Sequence, residues 1–175
     1  NVTVTAIENG YSLTLTEGSG YGVESANVSG KAETDLTVTS AGLSAFENIE
    51  IDDMAANTKV TFADSGSNTY GDTFDVVLDE VGAGTITFGG STAFTGNASL
   101  LALTTRNIVA PADTVITAVD GNITLSANMQ EAKSSGNFHG VRMPTAHVII
   151  TGEGILTVQG TGGDSGDYNY GVDLY

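Results

Sequence analysis

Asp120-Gly121-Asn122-Ile123-Thr124-Leu125-Ser126-Ala127-Asn128 holds turn residues followed by a short strand. Gly121 and Asn122 precede a triplet in which Ile123 and Leu125 point to one side of a strand and Thr124 to the other. The same apolar-Thr-apolar triplet recurs as Leu13-Thr14-Leu15, Leu36-Thr37-Val38, Val60-Thr61-Phe62, Ile86-Thr87-Phe88 and Leu156-Thr157-Val158. The successive spacings of the central threonines, from Thr14 to Thr157, are 23, 24, 26, 37 and 33, an irregular period within the range of solenoid repeats. Turn residues precede many of the triplets, as in Gly82-Ala83-Gly84-Thr85, and Gly-rich tracts follow some, as in Gly160-Thr161-Gly162-Gly163. The gap between Thr87 and Thr124 exceeds a regular coil and suggests an inserted loop.

A second element repeats beside the first. Tyr21-Gly22-Val23, His139-Gly140-Val141 and Tyr170-Gly171-Val172 share one pattern. Asn137 to Met143 and Asn169 to Leu174 therefore read as equivalent strands of successive coils. The expected architecture is all-β: a right-handed parallel β-helix, or β-solenoid, with irregular coils. A single coil cannot bury its own inner face, so coils stack at about 4.8 Å and share an apolar column. Leu36, Val38, Ile86, Phe88, Ile123, Leu125, Leu156 and Val158 should point inward and the intervening threonines outward. An antiparallel β-sandwich is the competing architecture; the repeated motifs, the absence of Trp and the long Gly-rich tracts stand against it. One window, Leu43 to Ala56, could place Leu43, Phe46, Ile49 and Met54 on a helical face, although Ile49-Glu50-Ile51 alternates like a strand.

Two stretches, Arg106 to Asn128 and Thr151 to Gly163 with the following Tyr170-Gly171-Val172, resemble the repeat units of giant exported bacterial surface proteins, the filamentous-haemagglutinin-like and autotransporter-like β-solenoid adhesins. The resemblance covers residues 80–175 well and the first 80 loosely. It implies a β-helical shaft, secreted and held at the cell surface or in extracellular matrix, and brings no fixed catalytic residues. The start, Asn1-Val2-Thr3-Val4-Thr5, alternates like a strand and lacks the basic head and apolar core of a signal peptide. The chain stops at Tyr175 inside a repeated motif. Residues 1–175 are accordingly expected to be a single solenoid segment of a longer repeat protein.

Composition narrows the function. The chain has 21 Asp and Glu against 5 Lys and Arg, for a net charge of -16. Five cations cannot neutralise many phosphates against that excess, which argues against nucleic acid and anionic lipid as partners. Mean hydropathy of +0.06 is high enough for a folded core. No apolar run reaches the roughly 18 residues of a membrane-spanning helix, so no membrane insertion is expected. Without Cys there is no disulfide frame, thiolate metal site or cysteine nucleophile.

Candidate sites are few. Asp72, Asp75, Asp79 and Glu80 cluster in sequence, as do Asp52 with Asp53, and Asp164 with Asp167 in Gly162-Gly163-Asp164-Ser165-Gly166-Asp167. Such oxygen-rich tracts suit calcium, making Asp72, Asp75, Asp164 and Asp167 its candidate ligands. A solubilising acidic coat is the preferred reading of the same residues, and no cofactor is required. Tyr168, Tyr170 and Tyr175 could contact glycans through exposed rings, with Tyr168 and Tyr170 the first choices. His139 and His147 lie eight apart around Pro144 without a third ligand in step. No serine-hydrolase signature occurs, and the five cations are too scattered for a lyase centre. The expected function is a non-catalytic structural or adhesive segment of an extracellular bacterial surface or matrix protein. Its expected partners are extracellular polysaccharide or neighbouring copies of the same protein. A carbohydrate-binding or carbohydrate-active β-helix is the alternative, and a self-assembling surface-layer or filament subunit the third reading.

Overall fold

The computed structural model describes residues 2–5, 25–30, 35–38, 48–54, 58–62, 67–71, 73–79, 84–167 and 169–175. Among these residues there are 17 strands and no helix. The strands form three sheets, and every pairing among them is parallel. The first sheet runs β1 (Val2–Thr5), β2 (Ser25–Gly30), β4 (Asn48–Met54), β7 (Thr73–Leu78), β10 (Leu100–Thr104), β13 (Ile123–Ala127), β16 (Leu156–Gly160). The second runs β3 (Asp35–Val38), β5 (Lys59–Phe62), β8 (Thr85–Phe88), β11 (Asn107–Val109), β14 (Val141–Arg142), β17 (Val172–Asp173). The third runs β6 (Ser67–Tyr70), β9 (Ser91–Phe94), β12 (Val115–Ala118), β15 (His147–Ile150).

The chain visits the sheets in rotation: β7, β8 and β9 make one coil, β10 to β12 the next, β13 to β15 the next. This is a parallel β-solenoid, and the all-parallel pairing excludes the antiparallel sandwich. Alternation does what the sequence predicts. Val60, Phe62, Ile86, Phe88, Ile123 and Leu125 are wholly buried, while Thr61, Thr87 and Thr124 stand half-buried on the outside and Thr157 is exposed. The core is aromatic in its middle coils. Phe74 meets Phe62 edge-on at 5.3 Å and Tyr70 at 5.2 Å, and stacked pairs Phe62–Phe88 and Tyr70–Phe94 continue along the axis.

Four expectations need revision. The triplets are not one column: those at Leu36, Val60 and Ile86 belong to the second sheet, those at Ile123 and Leu156 to the first. The wide gap between Thr87 and Thr124 thus carries no inserted loop, because the true partner of Thr87 is Val109. The long coil comes later. Leu100 pairs with Ile123, an interval of 23 in sequence, but Ile123 pairs with Leu156, an interval of 33, and the extra length lies between β13 and β14. The third revision is at Leu156, which is 41% exposed. Among the described residues β16 ends the first sheet, so Leu156 has a column neighbour, Ile123, on one side only. Finally, Asn48–Met54 is a strand rather than part of a helix, paired on both sides with β2 and β7. The side chains of Leu36 and Val38, and Tyr21-Gly22-Val23, lie outside the described residues.

The repeated Gly-Val motif is confirmed where it is described: Val141 pairs with Val172 and Arg142 with Asp173. Its glycines are steric. A Cβ on Gly171 would strike the carbonyl oxygen of Gly160, and one on Gly140 would press against the carbonyl oxygen of Gly171. Backbone meets backbone where these coils turn from one sheet to the next.

Candidate functional site

The long coil owes its shape to Asn128. Just past β13 the chain turns with Asn128 at φ 54°, a left-handed conformation that Asn tolerates better than most residues. The side chain is wholly buried and fully used. Its Oδ1 accepts from the Ser134 N–H at 2.7 Å and from Gln130 Nε2 at 2.8 Å. Its Nδ2 donates to the carbonyl oxygens of Ser134, Thr161 and Gly162 at 3.3, 3.1 and 3.4 Å. Gln130 Nε2 also donates back to the carbonyl oxygen of Thr105 at 3.1 Å. One buried amide therefore ties residues 129–134 to the coil below and the coil above, and a fully satisfied network of this kind is rigid.

That segment forms one wall of a cavity of about 290 Å³ on the outer face of the first sheet. Its base follows one outward row of the ladder, in which Val77, Leu103, Ser126 and Gln159 lie in register across β7, β10, β13 and β16. Leu103, Ser126 and Gln159 line the cavity with Met129, Gln130 and Asp79. Ser126 faces outward yet is only 3% exposed. Gln159 Nε2 donates to its Oγ at 3.0 Å. Among the described residues the hydroxyl proton of Ser126 and the side-chain oxygens of Gln130 and Gln159 have no partner within the chain. The cavity thus joins two apolar side chains, Leu103 and Met129, to a set of open polar groups, and Asp79 is the one ionisable side chain among its described lining residues.

The residues singled out from sequence sit elsewhere. Asp72, Glu80 and Tyr168 lie outside the described residues, as do the side chains of Asp52 and Asp53. Asp75 is exposed on the outer face of β7, in the row of Leu101, Thr124 and Thr157. Asp164 and Asp167 are exposed, and Asp164 Oδ1 accepts from the Gly136 N–H at 2.8 Å, a bond between segments 28 residues apart. The described residues contain no group of three or more His, Asp or Glu placed to hold a metal ion.

Tyr170 is half exposed. Its ring stacks on His139 with centroids 5.6 Å apart, and Asp173 Oδ2 lies 3.6 Å from His139 Nδ1 and 3.8 Å from Arg142 Nε. Tyr175 is exposed. His147 is in the third sheet, away from His139 beside the second. Arg106 lies over the ring of Phe138 at 5.0 Å, so it packs rather than facing an acid pair. Sequence reasoning missed Leu103, Ser126, Gln130 and Gln159; the signal that could have found them is the extra length after Asn128 together with an outward Leu103. No family model, curated protein or solved structure matches the chain.

Proposed function

We propose that this chain is a structural and adhesive segment of an extracellular bacterial surface or matrix protein, secreted, non-catalytic and independent of any cofactor. One observation carries the reading: strands stack in parallel through three sheets around a buried column from Ile51 to Met143. Each coil touches its neighbours alone, so length is added without a new fold, and backbone ladders along the axis share any tensile load. The acidic surface supports the same reading, because a net charge of -16 keeps long fibres apart and solvated. Adhesion would arise from many weak contacts of the outward side chains, summed by multivalency, with extracellular polysaccharide or neighbouring copies as partners.

An antibody raised against the purified chain should label intact, unpermeabilised cells of the producing organism or their surrounding matrix. Labelling that appears only after permeabilisation would refute the extracellular assignment.

A further inference from the structure

We propose that the cavity beside Asn128 binds one neutral pyranose unit. Four features select that ligand. At about 290 Å³ the cavity sits near the lower limit of small-molecule pockets, roughly 300 Å³, which suits one sugar ring with its substituents and excludes a long chain. Leu103 on its base and Met129 on its wall give it apolar surface, matching the C–H face of a pyranose. Around that base stand the side-chain oxygens of Gln130 and Gln159 as acceptors and the Ser126 hydroxyl as a donor, placed to meet hydroxyls at the ring edge. Charge completes the selection: among the described lining residues Asp79 is the one ionisable side chain and none is a cation, so a uronate or a sulfated sugar would approach a carboxylate.

The wall is fixed before any ligand arrives. Gln130 is held by three acceptors, Thr105 O, Asn128 Oδ1 and Ser134 Oγ, so its amide plane is set and its oxygen stays available. Gln159 is oriented by Ser126. Binding to such a preorganised rim loses little side-chain freedom. Since one ring makes few contacts, a dissociation constant on the order of millimolar is expected, useful only where many coils or many molecules engage one polysaccharide. The assignment does not depend on the extracellular reading above; a soluble sugar would serve it equally.

The test is a titration of the full chain, labelled with ¹⁵N, with methyl pyranosides of glucose, galactose, mannose and N-acetylglucosamine, and with glucuronate as the charged control. At least one neutral glycoside should shift the backbone amides of Ser126, Met129 and Gln159 in a saturable way, and glucuronate should bind at least about fivefold more weakly. Leu103→Glu should remove the response. Gln159→Ala should weaken it by about fivefold or more, with the thermal midpoint within about 3 °C of the parent chain, as for an exposed side chain. Saturable binding retained by both variants would overturn the assignment of the site. Absence of saturable shifts with every neutral glycoside at about 50 mM, well above the expected constant, would overturn the ligand class, as would glucuronate binding as tightly as the neutral sugars.

Discussion

Phe74→Ala lowers stability by about 3–5 kcal/mol, the cost of a large cavity in a core that cannot collapse around it. Phe74 is wholly buried and its ring lies edge-on to three others, at 5.3 Å from Phe62, 5.2 Å from Tyr70 and 6.3 Å from Phe94. The four rings come from all three sheets, so their backbones are held by ladders on three sides and have little room to close the void. For a chain of this length the thermal midpoint should fall by roughly 6–20 °C. Leu156→Ala provides the internal comparison, because Leu156 lies in the same column, joined through Leu100 and Ile123, but is 41% exposed. Its loss should cost less than about 1.5 kcal/mol. Equal losses at the two positions would contradict the burial gradient along the column.

Asn128→Asp should cost about 3–5 kcal/mol at neutral pH, the penalty of an uncompensated buried charge. The substitution keeps size and shape but replaces Nδ2, which donates to three carbonyl oxygens, with an oxygen that faces them. Burial among acceptors raises the folded-state pKa of the new carboxyl above its unfolded value near 3.9. The native state then holds its proton longer than the unfolded state, so stability falls as pH rises through that interval and recovers on acidification. The difference between variant and parent in urea unfolding should be largest at about pH 7 and shrink toward about pH 4. Asn128→Ala, which deletes the bonds without adding charge, should cost about 1–3 kcal/mol and show no such pH dependence. A pH-independent deficit for the Asp variant would mean that Asn128 is not sealed from solvent.

The fold was readable because its two periodicities are independent. Alternation within Ile123-Thr124-Leu125 depends only on strand geometry, and the recurrence of such triplets depends only on coil stacking; both pointed to a solenoid. Which sheet a triplet joins was not readable. Leu36-Thr37-Val38 and Leu156-Thr157-Val158 have the same pattern and lie in different sheets, since every sheet of a solenoid presents one face to the core. That degeneracy turned a change of sheet between Thr87 and Thr124 into an apparent insertion and hid the real one after Asn128. The cavity was illegible for a related reason. Ser126 reads as an ordinary outward polar residue, and only the segment closing over it from the long coil and the overlying Gln159 make it buried. Tyr170 illustrates the reverse case. Its exposed aromatic character was plain, but its ring face is taken up by His139, a partner from the preceding coil that the Gly-Val motif alone had placed in register.

Single-molecule extension of the chain between its two ends tests most directly whether it is a stack of coils that carries load along its axis. A stack held by nearest neighbours should yield coil by coil. Each event should release one interval between register partners of the first sheet, from Leu100 to Ile123 or from Ile123 to Leu156, a step of roughly 80–115 Å at about 3.5 Å per residue. A single rupture that releases the whole chain at once would contradict the account.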